Sequence, residues 1–316
     1  MDNFAIVDAH HHFWDLERNY HPWLCDEPMI PFRYGDYSAI RKTFMPNDYF
    51  TEVGDHHVVM TVTMEGEWDP DDPLGESRWM QEVAEQYGFP HAHVAHIRLD
   101  RDDVENVLAA QAAIPLVRSV RHKPRAAASP QHVEPGVPGS MGDPRWRRGF
   151  SLLDRFGVHF DLQTPWWHFA EALELAESFP DTLVILNHTG LPADRSPEGL
   201  AAWRSAMKLL SVAPNVFVKI SGLGLAGRPW RLDDNTPIIR ETIEIFGVDR
   251  CMFASNYPVD AVITDLETIF TGFKQAVADF PLEDRKKLFH DNAVSVYRLS
   301  KEESHLSATA HHDPAA

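Results

Sequence analysis

Near the N-terminus an apolar run, Phe4-Ala5-Ile6-Val7, leads straight into Asp8-Ala9-His10-His11-His12-Phe13-Trp14. Side chains alternate between the two faces of a strand. A strand here therefore predicts Asp8, His10 and His12 on one face, with Ala9, His11 and Phe13 on the other. Two imidazoles two residues apart on one face can grip a single metal ion or orient one polar substrate group. A histidine tag or solvated tail is the plain alternative, but neither would be preceded by an apolar strand or followed by Phe-Trp. Such a pair needs further polar groups beside it, and those must come from other strands.

The chain supplies strands at regular intervals. Strand-like runs are predicted at 5–13, 58–64, 91–99, 116–123, 158–163, 183–188, 216–221 and 251–255. Helical patterns lie between them near 47–53, 76–87, 102–113, 144–156, 167–179, 197–212, 237–246 and 263–280. Asp143-Pro144, Ser196-Pro197 and Thr236-Pro237 read as helix starts. This alternation predicts an α/β chain folded as a single (β/α)8 TIM barrel over residues 1–300, with an extra C-terminal helix near 282–297. The small polar tail at 301–316 is predicted to be disordered.

Loop lengths give the barrel its polarity. Helix-to-strand links such as Gly88-Phe89-Pro90 and Pro214-Asn215 are short. Three strand-to-helix segments, 14–37, 124–143 and 222–234, are long. All strand-to-helix loops gather at the C-terminal face, where barrel active sites lie, so these three are candidate lids.

The strand ends on that face are unusually polar. The first offers His10 and His12, the second Glu65, and the third His96 or Arg98. The fourth offers Arg121, His122 and Lys123. The fifth offers Gln163, followed by Trp166, Trp167 and His168. The sixth offers His188, the seventh Lys219 and Ser221, and the eighth Ser255-Asn256-Tyr257-Pro258 with Asp260 just beyond. Each alone reads as a hydrogen-bonded core residue, and Asp260 as a cap for the following helix. Together they would be costly to desolvate without a ligand, water or metal.

Composition narrows the partners. Hydrophobic residues make up 44% of 316, enough for a large core. No run approaches the ~18–20 apolar residues that span a bilayer, and no secretory leader is evident. Cys25 and Cys251 lie far apart, which fits a reducing, cytoplasmic setting better than a disulfide scaffold. A formal net charge of −18 argues against nucleic acid and anionic membrane as partners.

The opening DAHHHFWD, followed by Tyr20-His21-Pro22-Trp23-Leu24, resembles the amidohydrolase superfamily. More narrowly it resembles the amidohydrolase-2 branch that contains sugar lactonases and 2-pyrone-4,6-dicarboxylate lactonase. The resemblance continues through Phe160-Asp161-Leu162-Gln163, Leu186-Asn187-His188-Thr189-Gly190, Lys219-Ile220-Ser221-Gly222-Leu223 and Phe253-Ala254-Ser255-Asn256-Tyr257-Pro258. It implies that His10, His12 and His188 hold one divalent metal (zinc or manganese) or, as in metal-independent members, orient substrate. It also implies that Arg121 holds a substrate carboxylate or hydroxyl, bidentately as a guanidinium can. His122, Gln163 and Trp166 are further substrate-binding candidates.

Two departures stand out. Gln163 occupies the place of the usual strand-five histidine, as in the lactonase branch, which argues against a binuclear site. Asn256 stands where the superfamily has a metal-binding, proton-accepting Asp, and a neutral amide is no general base near pH 7. Three readings stay open. His188, Glu65 or Asp260 serves as base; metal-bound hydroxide needs little help; or Asn256 is a silencing change, engineered or natural. The expected function is a hydrolase opening a lactone or related cyclic ester of a sugar acid or aromatic catabolite. The expected substrate is a small anionic or polyhydroxylated molecule, and the expected assembly is a homodimer, the latter by analogy alone. The rivals are a metal-dependent decarboxylase or hydratase of an aromatic acid, and a non-catalytic small-molecule-binding barrel.

Overall fold

The computed structural model describes residues 4–300; the tail at 301–316 lies outside the described residues. Eight strands pair in sequence order, all parallel. They are β1 (Ile6–His11), β2 (Val58–Met64), β3 (Ala92–His96), β4 (Val117–Arg121), β5 (His159–Leu162), β6 (Val184–Leu186), β7 (Val216–Ile220) and β8 (Cys251–Phe253). Apolar, β-branched runs such as Val58-Val59-Met60-Thr61-Val62 suit strands covered on both faces. The helices are α1 (Pro22–Cys25), α2 (Pro46–Val53), α3 (Gly75–Tyr87), α4 (Val104–Ala112), α5 (Pro144–Phe150), α6 (Phe169–Ser178), α7 (Pro197–Leu210), α8 (Leu232–Phe246), α9 (Leu266–Ala276), α10 (Leu282–Lys286) and α11 (Asn292–Tyr297). This is the (β/α)8 barrel that the alternation predicts. Among the described residues no helix is long and apolar enough to cross a membrane.

Two of the three expected helix starts hold. Asp143 accepts the Arg145 N–H at 2.9 Å, and Ser196 accepts the Gly199 N–H at 3.0 Å, each just before a proline. The third does not. Helix α8 begins at Leu232, with Asp233 and Asp234 in its first turn, so Pro237 lies inside it. Acidic residues there complement the helix dipole. The expected C-terminal helix is interrupted by a π turn at Lys287–Asp291 between α10 and α11. Ala293, Val296 and Tyr297 join the apolar cluster inside the barrel, so this segment seals the N-terminal mouth.

The seam between the first and last strands closes the sheet. Asn256 N–H donates to His10 O at 2.7 Å and His12 N–H to Tyr257 O at 2.8 Å. The buried Asp8 carboxylate reinforces this seam from the side. Its oxygens accept the Ser255 N–H at 2.9 Å, the Ser255 hydroxyl at 2.5 Å and the Tyr49 hydroxyl of α2 at 2.8 Å.

Simple alternation fails in β1. Asp8 lies opposite Thr61 and His11 opposite Thr63, so β1 carries one extra residue there. Such a bulge re-aims the side chains beyond it. Val7 and Ala9 fill the barrel interior. Asp8 and His11 both face Tyr49 on the outside, the His11 ring 4.7 Å away. His10 and His12 both turn into the mouth. Asp8 therefore does not share the histidine face, contrary to the pattern expected from an unbroken strand.

Removing Asp8 strands four buried donors at once, the His10 N–H at 3.3 Å being the fourth. Asp8→Ala is expected to lose about 3–5 kcal/mol of stability, read as a lower urea midpoint; an unchanged midpoint would show that the seam does not depend on it.

Candidate active site

A cavity of about 330 Å³ opens at the C-terminal ends of the strands. His10, His12 and His188 stand together in its floor, with ring centroids 4.6 Å apart for His10–His188 and 5.4 Å for His10–His12. His12 Nδ1 donates to Met64 O at 3.1 Å, because a carbonyl can only accept, so Nε2 keeps its lone pair. His188 Nδ1 meets Ser221 Oγ at 2.8 Å. Neither ring nitrogen of His10 has a partner. Burial holds all three imidazoles well below their ordinary pKa. Lys219 and His188 add to this at His10, Arg121 at His12, and Arg33 and Arg121 at His188. All three are therefore neutral at pH 7.

Beside them Glu65 and Arg121 form a buried pair. Arg121 Nε donates to Glu65 Oε1 at 2.5 Å and Nη2 to Glu65 O at 2.8 Å. Its Nη1 reaches Gln163 Oε1 at 2.9 Å and Asn187 Oδ1 at 3.4 Å. Four of its five N–H groups are thus spent on the protein. Burial pushes the Glu65 carboxyl up, but Arg121, His96 and Lys123 together outweigh that and hold it well below the usual range. Gln163, its oxygen taken by Arg121, is left with amide N–H groups for a ligand.

Asp260 sits one step behind the wall. Its Oδ1 accepts Asn256 Nδ2 at 2.6 Å and the Tyr34 hydroxyl at 2.8 Å, with Arg33 Nη2 at 3.7 Å. This fixes the Asn256 amide with Oδ1 as its free atom. Burial raises the Asp260 carboxyl to about 6 despite Arg33 and these donors. Asp260 does not cap the next helix; Asp265 does, accepting the Thr268 N–H at 2.7 Å.

The loop after β6 is strained. His188, Thr189 and Leu191 have φ of 55°, 50° and 58°, a region L residues avoid. Hydrogen bonds hold them there: Trp203 Nε1 donates to Thr189 O at 2.8 Å, and Thr189 Oγ1 to His188 O at 2.7 Å. A Cβ on Gly222 would lie 2.7 Å from Arg33 Nη2 and 2.8 Å from His188 Nδ1, so this glycine lets the two approach.

The barrel brings His10, His12, Glu65, Arg121, Gln163, His188 and Asn256 to one cavity. It does not bring His122 or Trp166 there. His122 Nδ1 accepts the Leu99 N–H at 3.1 Å and its ring stacks on Trp146, so it lines a neighbouring cleft. Trp166 packs edge-on against Trp167 at 5.5 Å. Arg33 is the residue that sequence reasoning missed. It lines the cavity from the first long loop, beneath Pro31-Phe32. The signal available was a single base inside an aromatic strap, Phe32-Arg33-Tyr34.

In donor chemistry three neutral imidazoles suit a divalent ion. In arrangement they fall short: among the described residues no three His, Cys, Asp or Glu side chains are placed to hold one.

A parallel barrel with polar groups converging at its strand ends has the architecture of an enzyme. The chain belongs to the Amidohydro_2 amidohydrolase family, matched over residues 7–299. It is 40% identical to the uncharacterized protein y4mH of Sinorhizobium fredii, across 95% of this chain and all (100%) of that one. It is 25% identical to L-fucono-1,5-lactonase of Burkholderia ambifaria, covering 93% and 96% of the two chains. Its fold superposes on an amidohydrolase from Burkholderia multivorans with bound zinc, with a TM-score of 0.77 at 20% identity over 94% of this chain and all (100%) of that one.

Neutral buried histidines make stability pH-dependent. Burial pulls His11 and His93 down to about 3, and His122 and His159 to about 4, from 6.5 in the unfolded chain. The unfolded chain therefore takes up protons first, and stability complete above 6.5 drains as pH falls towards these values. Asp260, raised to about 6, acts in the opposite sense between 3.8 and 6. The histidines outnumber it, so the urea midpoint is expected to fall from pH 7 to pH 5; a flat profile would mean that these imidazoles are protonated in the fold.

Proposed function

We propose that this amidohydrolase opens a lactone or related cyclic ester of a sugar acid or aromatic catabolite. The observation that carries the reading is the pocket itself. Neutral imidazoles with open nitrogens face an oriented Asn256 oxygen and the amide of Gln163. The lactonase similarity of the Burkholderia ambifaria relative points the same way.

In this reading the Gln163 N–H groups and the Arg33 guanidinium face the carbonyl oxygen and stabilise the developing oxyanion. Asn256 Oδ1 accepts one hydrogen of the attacking water. His188, donating Nδ1–H to Ser221, takes the other proton at Nε2. The water oxygen bonds to the carbonyl carbon. The ring C–O bond then breaks, and its oxygen receives that proton from His188, giving a hydroxy acid. Glu65, ionised and tied to Arg121, positions Gln163 through that arginine and takes no proton. Asp260 acts through Asn256 as a positioning residue. Free cysteines at 25 and 251 fit a cytoplasmic setting.

A lactone panel tests this. His188→Ala is expected to lower kcat/KM about 10²–10⁴-fold. Ionised Asp260 is the form that holds Asn256, so activity should fall as pH drops through about 6. Asp260→Asn should abolish that acid limb while lowering kcat. Running the panel with added zinc or manganese, and after chelation, assigns an ion to His10, His12 and His188 if activity falls and returns with it. No ring opening, combined with CO₂ release from aromatic acids, would replace this reading with a decarboxylase. Ligand binding with neither reaction would leave a binding barrel.

A further inference from the structure

A second cleft of about 700 Å³ adjoins the histidine cavity. Arg33 and Leu191 line both, so the two spaces meet at Arg33. Beyond it the cleft is lined by Arg195, Arg228 and Trp167, with Asp194 as its only carboxylate among the described residues. Asp194 is turned to its own backbone, accepting the Ser196 N–H at 2.9 Å. In a chain of net charge −18, three guanidiniums around one cleft are out of keeping with the whole.

Two of these arginines, Arg195 and Arg228, have no carboxylate at ion-pair distance among the described residues, and the third, Arg33, faces Asp260. Arg195 reaches only carbonyls, Asp234 O at 3.5 Å and Leu223 O at 3.3 Å, both at the long limit. Its Nε is buried with no partner. Burial, set against Asp234, brings its pKa down to about 10, a mark of a desolvated cation lacking a close counter-charge. Arg228 is exposed on the loop after β7 and has no side-chain ion pair among the described residues. Arg33 lies 3.7 Å from Asp260, with its guanidinium 4.5 Å over the Tyr34 ring. A buried donor without an acceptor is costly unless a ligand supplies one. Planar guanidiniums match carboxylate and phosphate oxygens best.

We infer that this cleft binds an anionic group, carboxylate or phosphate, at the end of the substrate distal to the reacting ring. The ring lies among the histidines, Arg33 marks the junction, and Arg195 and Arg228 hold the charged end. The inference rests on the lactonase reading for the identity of the ring, but not for the anion site.

The test pairs binding with turnover. Calorimetry with inorganic phosphate and with glutarate separates the two anion types without any reaction. Binding of either probe, weakened about tenfold in Arg195→Gln and Arg228→Gln, is expected, because one charge-assisted contact is worth about that factor. Arg228 lies on an exposed loop, so its variant keeps the test intact if Arg195→Gln fails to fold. Arg228→Lys should recover part of the affinity. In kinetics, kcat/KM for a lactone with a distal carboxylate or phosphate should fall in Arg228→Gln about tenfold more than for its neutral isostere. No binding of either probe, or binding indifferent to both substitutions, overturns the inference. Anion binding lost in the variants with no lactone opened leaves the cleft standing and removes the lactonase reading. Neutral and anionic lactones opened alike by wild type and Arg228→Gln do the reverse.

Discussion

Everything at the mouth of this barrel depends on how its first strand meets its last. Backbone bonds from Asn256 to His10 and from His12 to Tyr257 join the two strands at the residues that line the cavity. The Asp8 carboxylate clamps the same junction by accepting from Ser255 and from Tyr49 of α2. The geometry of His10, His12 and Asn256 is thus a consequence of barrel closure. The extra residue in β1 completes the arrangement, since without it the pleat would aim Asp8 with the histidines and leave the seam unclamped.

Below the cavity the interior is charged, and the charges are paired. Lys219 and Asp161 meet at 2.8 Å with no exposed surface (0%) on either. Tyr297, arriving from the C-terminal helix, donates to Asp161 at 3.1 Å, and Asn187 does so at 2.9 Å. Asn187 also accepts from Arg121, which in turn fixes Glu65 and Gln163. One chain of hydrogen bonds therefore runs from the sealed end of the barrel to the mouth. Breaking such a network exposes uncompensated buried charge, which makes it rigid. Its net positive members, Lys219 and Arg121, also help to keep the imidazoles above them neutral. The same network accounts for Arg121: the residue expected to clamp a substrate is committed to the protein, and Arg33, held at 3.7 Å from Asp260, is the guanidinium that a loop brings to the cavity.

The barrel was legible because its signals are local and repeated: strands, short returns, and polar residues at strand ends. The strand-end rule placed His10, His12, Glu65, Gln163, His188 and Asn256 correctly at one cavity. It misplaced what depends on tertiary detail. His122 follows Arg121 directly in the chain, yet alternation at the end of β4 turns it outward onto Trp146. Trp166 lies beyond its strand, where a 3-10 turn at Trp166–His168 sets its direction. Arg33 belongs to a loop whose path over the mouth is decided by aromatic packing, Trp23 on Phe32 at 5.8 Å and Tyr37 on Trp23 at 5.4 Å, and no periodicity announces it. The bulge in β1 is equally silent in sequence, because it reflects register against β2.

Asn256 is intelligible in these terms. Its φ of 56° lies in the left-handed region, where Asn and Asp are among the few side chains tolerated. The backbone at this strand end therefore restricts the position to a small set, and exchanging a carboxylate for an amide leaves the fold intact. The exchange changes the electrostatics more than the shape. A carboxylate at 256 would stand 2.6 Å from Asp260, two negative charges sharing a buried site. The amide instead donates to Asp260 and turns its oxygen outward. The negative charge thus moves one step back from the cavity wall, to a carboxyl also held by Tyr34 and faced by Arg33. The carboxylate at this end of the barrel is thus Asp260, in the turn beyond β8, and its contact with the cavity wall runs through the Asn256 amide.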